Sequence, residues 1–449
     1  MTLAPTLAAA RAHPPQDGRW LLAGTLGASD AQGAFQDGPA ELVVKGGVIT
    51  TLQWSEGAEG QRGSGDDGLV LAPLLVNGHD HGRGRGNVLA GVPDAPLEPW
   101  ILSLRDLGVK STQESLVGDA SRMMLSAGVG GTVICVNPQS DDTAGEVEAA
   151  AAAAVKAGIR AAIVFPFADA MTDLYGRAAD APGWSAAEFG QRLDLFESVA
   201  ARCADPLVEL QLGPVGPQWV SESTLAAIGT HARQTGRRVH MHLLESRAQR
   251  RWADETYPAG LLDFLADVDL LGPHVCLAHG TQLRPDEMAR LAASGCVLTL
   301  NASSNLRLAS GIAPIAEAQR AGVAIAAGLD GLALGDDGDF WNELRLFRGI
   351  GQAQSGRSMD AGKMLHDVGA GGRAALGGCA PQEVRAGNVA DFVLVDMSGY
   401  QHLLDQKGWS VADVLVAAGS PARVREVWVG GRQTFSQVTP GQEESHHDA

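Results

Sequence analysis

Cysteine is scarce in this 449-residue chain, which contains only five. They are odd in number and scattered, at Cys135, Cys203, Cys276, Cys296 and Cys379. Such a pattern does not fit a disulfide framework. It favours reduced, buried thiols and a cytoplasmic location.

Long apolar runs and positive charge are also in short supply. No stretch approaches the roughly 18 apolar residues of a membrane span. The first 20 residues lack a signal-peptide pattern, because Arg11 interrupts their apolar part and no basic segment precedes it. The formal net charge of -18 argues against a nucleic acid or an anionic membrane as partner. A small-molecule partner is therefore expected.

Two histidines stand out where an apolar run ends. Residues 69–76 form a run typical of a buried strand, and His79 and His81 follow it. Because side chains alternate along a strand, these two imidazoles point to the same side and can form half of a metal site. The alternative is two polar residues that open a surface loop. The glycine-rich stretch after them predicts a loop, in which Arg83 and Arg85 either contact substrate or are simply solvated.

From this point the pattern is strand, then helix, repeated. With 69–76 as the first, the strand candidates are 132–136, 161–167, 207–212, 238–242, 274–279, 296–300 and 323–329. The helical stretches between them are 113–127, 144–157, 186–203, 223–235, 260–268, 284–293 and 313–321. Eight such units indicate a closed (β/α)₈ barrel. A doubly wound open sheet is less well supported, because no glycine-rich phosphate loop follows an early strand.

Polar side chains fall at the ends of four of these strands, where such barrels carry their catalytic groups. They are His79 with His81, His240 and His242 with Glu245, His279, and Asp330. Burying so many polar groups together is costly unless they share a partner, and a divalent metal is the economical one. A histidine-rich site with one carboxylate suits zinc, iron(II), cobalt or manganese rather than magnesium or calcium.

In this order, the motifs resemble the amidohydrolase superfamily, in particular its branch of cytosine, guanine and adenosine-type deaminases and triazine hydrolases. The resemblance covers about residues 21–435. It is carried by NGHDH at 77–81, VHMHLLE at 239–245, AHG at 278–280, NASSNLRL at 301–308 with GIAP at 311–314, GLD at 328–330, and GNVADFVLVD at 387–396.

The resemblance implies an α/β fold, a (β/α)₈ TIM-like barrel with a small β-sandwich built from both termini. The barrel would occupy residues 69–375. Residues 1–68 and 376–449 would form the sandwich, the latter with a polar tail. Strand-like runs at 389–395 and 424–433 would pair with the strands of 20–53.

The resemblance also implies roles for the strand-end residues. One metal would be bound by His79, His81, His242 and Asp330. Glu245 would shuttle a proton to the leaving nitrogen, and Asp330 would accept the proton of the water. His279 would orient or deprotonate that water and polarise the substrate, while His240 would line the barrel behind the ligands. A divalent metal lowers the pKa of its bound water from about 15.7 towards roughly 7, and a nitrogen must be protonated to leave.

The resemblance limits the metal count as well. Dinuclear members of the superfamily use a bridging carboxylated lysine on a central strand. The only lysines here are Lys45, Lys110, Lys156, Lys363 and Lys407, and none ends a predicted barrel strand. We therefore predict one divalent ion per chain, with zinc first and iron, cobalt or manganese as alternatives.

The substrate side departs from the family pattern. Many deaminases of this branch carry a histidine in the loop after the fourth strand, and residues 212–221 contain none. Gln218, as a hydrogen-bonding amide, and Trp219, as a stacking surface, are the candidates in its place, although Trp219 could equally be core. Gly331 follows Asp330 in place of a serine or asparagine.

These features predict a metal-dependent hydrolase of C–N bonds other than peptide bonds. Deamination of an N-heterocycle such as a purine, pterin, pyrimidine or triazine is the first choice. The nearest alternative is hydrolysis of a urea, carbamate or alkylamino substituent that releases an amine. A non-catalytic scaffold is more remote, because such relatives typically lose ligands and this sequence keeps all four. Homo-oligomers are common in the family, although nothing in the sequence shows an interface.

Overall fold

A computed structural model describes residues 15–29, 35–54, 68–84, 88, 91–106, 111–170, 183–331, 338–404, 406 and 408–437. Within these residues the chain forms two compact units. The larger contains Val76–Met123 and Gly131–Ala380, and the smaller draws on His13–Leu75, Met124–Gly130 and Pro381–Ala449. Arg85 and the polar tail lie outside the described residues.

The secondary structure alternates as expected over most of the chain. The strands are β1 (Gly18–Leu22), β2 (Gly24–Thr25), β3 (Ala28–Ser29), β4 (Phe35–Gln36), β5 (Ala40–Lys45), β6 (Val48–Trp54), β7 (Leu69–Pro73), β8 (Leu75–Asp80), β9 (Val129–Cys135), β10 (Arg160–Phe167), β11 (Val208–Pro214), β12 (Val239–Leu243), β13 (Val275–His279), β14 (Val297–Leu300), β15 (Ala324–Ala327), β16 (Val384–Arg385), β17 (Phe392–Asp396), β18 (Val424–Val429) and β19 (Arg432–Ser436). The helices are α1 (Leu97–Asp106), α2 (Gln113–Ser126), α3 (Thr143–Ala157), α4 (Ala186–Arg202), α5 (Glu222–Thr235), α6 (Arg247–Thr256), α7 (Leu261–Asp267), α8 (Pro285–Ser294), α9 (Ala302–Arg307), α10 (Ile315–Ala321), α11 (Phe340–Ser355), α12 (Ala361–Leu376), α13 (Gln401–Leu404) and α14 (Val411–Ala418).

The larger unit is built around an eight-stranded sheet in which β8 to β15 follow one another in chain order. Each neighbouring pair from β9 to β15 runs parallel. The two outer strands of the sheet meet through side-chain and backbone hydrogen bonds. The backbone N–H of Asp330 donates to the carbonyl oxygen of His79 at 2.9 Å, and that of Leu329 donates to Oδ1 of Asn77 at 2.9 Å. The predicted (β/α)₈ barrel is thus confirmed.

The bounds predicted for the first barrel strand are wrong. The run 69–76 is two strands: β7 pairs antiparallel with β17 of the smaller unit, and the barrel begins with β8. Proline has no N–H to continue a ladder, and Pro73 ends β7. Both strands are largely buried, so hydrophobicity continues across the break and conceals it.

The seven predicted helices are present within two residues of their expected ends, as α2 to α5, α7, α8 and α10. The other seven helices of the described residues were not predicted, and α11 and α12 are the longest of them. The four glycines of α12 mimic a loop signal in the sequence. In the fold they permit close packing, because a Cβ at Gly371 would lie 2.0 Å from the carbonyl oxygen of Ile325. A Cβ at Gly372 would lie 2.8 Å from Cβ of Val76. Helix α12 therefore packs directly against both β15 and β8.

The smaller unit is the predicted β-sandwich. One sheet has the order β1-β5-β6, another the order β19-β18-β17-β7-β2, and a third the order β16-β3-β4. Their shared core includes Trp20, Phe392 and Trp428, with the Trp20 ring edge-on to the other two at 5.7 and 5.3 Å. Strand β17 pairs with β18 on one side and with β7 on the other, and β18 also pairs with β19. The expected pairing of these runs with the strands of residues 20–53 is represented, among the described residues, by an isolated bridge between Val48 and Val389.

Two expectations about cellular context can be compared with the fold. All five cysteines are free and buried, as expected for reduced thiols. Among the helices of the described residues, none has both the length and the apolar character that a membrane span requires.

Candidate active site

Four of the predicted site residues meet at the carboxyl ends of the barrel strands. His79 lies near the end of β8 and His81 directly after it, His242 lies on β12, and Asp330 follows β15. One nitrogen or oxygen atom of each lies within 4.8 Å of the corresponding atoms of the other three. Oδ1 of Asp330 is 3.1 Å from Nε2 of His79 and 3.3 Å from Nε2 of His81.

Backbone carbonyls fix the protons of two of these imidazoles. Nδ1 of His242 is 2.6 Å from the carbonyl oxygen of Val215, and Nδ1 of His81 is 3.3 Å from that of Cys135. A carbonyl only accepts, so each ring carries its proton on Nδ1 and presents a lone pair on Nε2. Nδ2 of Asn137 also lies 3.2 Å from Nδ1 of His81. A proton on Nδ1 therefore requires the exchanged orientation of this amide, with its oxygen facing the ring. The two Nε2 atoms are 3.4 Å apart, and neither can donate to the other.

His79 is backed by a second histidine. Its Nδ1 lies 2.8 Å from Nε2 of His240, a hydrogen-bond distance. When His79 donates this bond, its own Nε2 presents a third lone pair at the same point. His240 therefore orients His79, and Cys135 Sγ lies beside the pair, 3.7 Å from Nδ1 of His79.

The result is a buried cluster of hydrogen-bond acceptors, three Nε2 lone pairs and one carboxylate, with no donor among them. Lone pairs and a carboxylate oxygen that face one another repel, and such a set is stable only around a cation. Burial lowers the pKa of His79 and His81, and lowers that of His242 to about 4, so the rings are neutral at neutral pH. Burial alone would raise the pKa of Asp330, but charge on His279 and protons that His79 and His81 direct at the carboxylate lower it well below its usual value. With lone pairs facing the carboxylate instead, a cation is needed to keep it ionised. Three neutral imidazoles and one carboxylate can hold zinc or a similar first-row ion.

Two further predicted residues border this cluster. Oε2 of Glu245 lies 3.6 Å from Nε2 of His279, and atoms of both lie within 4.8 Å of Asp330. Burial, and then the charge of Asp330, raises the pKa of Glu245 well above its usual value. This shift favours the protonated carboxyl group, which suits delivery of a proton to a leaving nitrogen.

Backbone strain collects at the same strand ends. Leu244, His279 and Asp330 have φ values of 46°, 73° and 60°. Residues other than glycine rarely adopt this left-handed region, and such conformations concentrate at functional sites.

The motif at 301–308 contributes residues to which the sequence assigned no role. The side chains of Asn301 and Asn305 each lie 3.1 Å from Nδ1 of His279. The hydroxyl of Ser304 donates to Oδ2 of Asp330. The signal that could have found them is the cluster of small polar residues directly after β14.

Helix α9, which carries this motif, is anchored by a buried carboxylate. Oε1 of Glu343, on α11, accepts a hydrogen bond from the backbone N–H of Ser303 at 3.2 Å. Burial raises the pKa of Glu343 to about 7, although these backbone hydrogen bonds act in the opposite direction.

The predicted substrate residues lie close by in the chain. Gln218 and Trp219 form a 3₁₀ turn, Pro217–Trp219, just beyond the Val215 carbonyl that holds His242. The side chain of Gln218 is 2% exposed, and its Nε2 has no hydrogen-bond partner in the described part of the chain. Trp219 is half-buried.

Arg83 lies two residues after His81 in the sequence. Its guanidinium lies 5.7 Å from the ring centroid of Trp100 on α1. Burial lowers the pKa of Arg83, and the charges of Asp330 and Asp80 oppose this shift. Glu98, also on α1, accepts a hydrogen bond from Ser246, so this unpredicted helix borders the site.

Comparison with known proteins gives a consistent family. The model of the amidohydrolase family matches residues 70–434. A 5-methylthioadenosine/S-adenosylhomocysteine deaminase from Teredinibacter turnerae is 29% identical over 373 residues, 82% of this chain and 80% of that protein. Solved structures with the same fold include a zinc-bound adenosine deaminase from Xanthomonas campestris, with a TM-score of 0.74 and 24% identity over 93% of each chain. A triazine hydrolase from Arthrobacter aurescens has a TM-score of 0.74 and 20% identity over 92% of this chain and 93% of that one.

The anchoring carboxylate gives a pH-dependent stability that can be measured. Below pH 4.5, the ordinary pKa of a glutamate, Glu343 is protonated in both the folded and the unfolded state. As the pH rises to about 7 the unfolded state loses this proton first, so stability present at low pH is lost across that window. In metal-free protein, the free energy of unfolding of the wild type should fall by about 3 kcal/mol relative to Glu343→Gln between these pH values. Urea unfolding followed by circular dichroism measures this. The exposed Glu383→Gln is the control, and a pH-independent difference for Glu343→Gln would contradict the expectation.

Proposed function

This chain belongs to the amidohydrolase family, and we propose that it is a metal-dependent hydrolase that deaminates an amino-substituted N-heterocycle. The observation that carries the proposal is the set of three imidazoles and one carboxylate that face a common point, with the buried carboxyl group of Glu245 at its border. The adenosine-type deaminase found among its relatives supports this choice of reaction. Five buried free thiols support the cytoplasm as the location.

We assign the metal to His79, His81, His242 and Asp330, with zinc as the first choice. Support comes from the protons of His81 and His242, which the neighbouring carbonyls place on Nδ1. Their Nε2 lone pairs then meet no hydrogen-bond donor in this cluster. When bound, the ion supplies Lewis-acid activation of water. One ion per chain is proposed, since the described Lys45, Lys156 and Lys363 lie on β5, α3 and α12, away from the barrel strands.

The remaining roles follow from the protons that each residue carries. Asp330, ionised, accepts a proton from the attacking water. Glu245, protonated, delivers a proton to the leaving nitrogen. The net reaction adds water at the ring carbon, replaces its amino group with oxygen and releases ammonia. His279 lies between the two carboxyl groups, where it contacts the water.

Metal analysis tests the assignment of the ligands. After purification with zinc and gel filtration, we expect one ion per chain by mass spectrometry. His242→Ala and Asp330→Ala should each become substoichiometric, because each loses one of four ligand atoms. His402→Ala, a change at an exposed histidine outside the barrel, should retain the ion. Two ions per wild-type chain would contradict a mononuclear site.

Ammonia release tests the reaction. Metal-loaded enzyme is screened against amino-substituted purines, pterins, pyrimidines and triazines, with Asp330→Asn as the blank. Glu245→Gln should lower kcat by about 10²- to 10⁴-fold, since it removes a general acid, while its metal content stays at the wild-type value. Release of an amine from ureas, carbamates or alkylamino compounds, without ammonia from any ring, would favour the alternative reaction. A protein that binds metal and releases neither would favour a scaffold.

We assign the substrate contacts to Gln218, Trp219 and Arg83. The buried, unpartnered amide of Gln218 supports a hydrogen bond to a ring nitrogen or oxygen, and the half-buried Trp219 offers a flat surface beside it. Gln218→Leu should lower kcat/KM about tenfold, the worth of one hydrogen bond, and act mainly through KM. Gln234→Leu, at an exposed position of α5, is the matched control. An unchanged kcat/KM for Gln218→Leu would remove this residue from the pocket.

A further inference from the structure

We propose that Asn301 and Asn305 act as a pair that fixes the tautomer of His279, with the proton on Nδ1 and the lone pair on Nε2. The inference rests on the proposed function and specifies whether His279 accepts or donates a hydrogen bond in the reaction. With this tautomer, His279 accepts a hydrogen bond from the attacking water and does not donate one to the substrate. Both asparagines are positioning residues, because they touch His279 and act through it.

Two asparagine side chains meet at Nδ1 of His279. Asn301 directly follows β14, and Asn305 lies one turn later on α9. Both side chains are fully buried, and each places Nδ2 3.1 Å from Nδ1 of His279. A ring nitrogen without a proton has one in-plane lone pair, so it cannot satisfy two amide donors.

The amide oxygens of the two asparagines lie away from the ring. In that orientation Oδ1 of Asn301 and Oδ1 of Asn305 are both buried, and neither has a hydrogen-bond partner among the described residues. Amide nitrogen and oxygen are almost indistinguishable in shape, so the same atomic positions fit the exchanged orientation. With both amides exchanged, the two oxygens share the N–H of His279 in a three-centre hydrogen bond, and a single lone pair no longer faces two donors.

The surroundings of Gly328 favour the exchange for Asn301. A Cβ at Gly328 would lie 2.2 Å from Oδ1 of Asn301 and 3.0 Å from the carbonyl oxygen of His79. These two oxygens therefore lie on the same side of the glycine. After exchange, the amide nitrogen of Asn301 lies on that side, so an amide donor replaces an oxygen in the neighbourhood of this carbonyl.

The other ring nitrogen has no acceptor that needs its proton. Nε2 of His279 is 3.6 Å from Oε2 of Glu245, beyond hydrogen-bond distance. Oδ1 of Asp330 faces Nε2 of His79 and His81 in the proposed metal site, and Oδ2 accepts from the hydroxyl of Ser304. A lone pair on Nε2 thus faces the space in which the attacking water and the substrate meet.

The asparagine pair is held rigidly enough to impose this choice. The backbone N–H of Asn305 donates to the carbonyl oxygen of Asn301 at 3.0 Å, and the N–H of Ser310 donates to that of Asn305 at 2.9 Å. Glu343 fixes the first turn of the same helix through Ser303. The amides are therefore set before substrate binds.

A nuclear magnetic resonance experiment reads the tautomer directly. Zinc-loaded enzyme labelled with ¹⁵N-histidine is studied by long-range ¹H–¹⁵N correlation, and the His279 signals are assigned by their loss in His279→Gln. We expect the proton on Nδ1, and a proton on Nε2 would overturn the inference. The measurement uses no substrate, so a failure of the proposed function leaves it intact.

Paired substitutions provide the kinetic test on the substrate that the ammonia screen identifies. Asn305→Asp can only accept a hydrogen bond, so it keeps the Nδ1–H tautomer, whereas Asn305→Leu can neither accept nor donate. Asn305→Leu should lose about 10²-fold in kcat, as for a disabled acid–base group, with KM and metal content little changed. Asn305→Asp should be clearly more active than Asn305→Leu, and the exposed Asn342→Leu should match the wild type.

The same pair of variants can refute the inference. If Asn305→Asp is no more active than Asn305→Leu while both hold metal and melt cooperatively, the amides donate to the ring and the assignment fails. Should Asn305→Leu not fold, Asn305→Asp alone decides, because its imidazole spectrum must show the wild-type tautomer.

Discussion

Acceptors that face one another at a buried end of the barrel are the constraint on which this structure depends. Lone pairs on Nε2 of His81 and of His242 face the carboxylate of Asp330, and no group among the described residues there donates to them. Such an arrangement persists only if the opposite side of each ring is firmly held. The carbonyls of Val215 and Cys135 do this directly, and His240 does it for His79. The end of β9 and the start of the loop after β11 therefore help to orient the imidazoles through these two carbonyls.

A second layer of polar groups holds His279 and Asp330, to which we assign catalytic roles, in the same way. Helix α9 has only six residues, yet it contacts His279 and Asp330 at once, and Glu343 holds its first turn from behind. Strained backbone at Leu244, His279 and Asp330 turns the chain sharply where the strands end. Strain and buried polarity both cost stability. Both features occur at the same end of the barrel. The candidate active site therefore lowers the stability of the fold that carries it.

Much of this could be predicted from the sequence, for physical reasons that differ between residues. The spacing of His79 and His81 uses the two-residue period of a strand, and His279 and Asp330 lie where parallel strands release the chain. These are local signals. The break between β7 and β8 was hidden because both strands are apolar, and α12 was hidden because its glycines serve close packing. The pairing of Asn301 and Asn305 with His279 depends on contacts between distant segments, which no local pattern reports.

The seam of the barrel has a consequence for how the protein is made. His79 lies on the first barrel strand and Asp330 follows the last, and the bond beside them joins Leu329 to Asn77, 252 residues apart in sequence. A ribosome must therefore deliver nearly the whole barrel before the proposed ligand set exists, and the entropy of closing so long a loop opposes folding at that moment. Metal acquisition is then a late event in biogenesis, and a nascent chain interrupted before β15 would carry only part of a binding site.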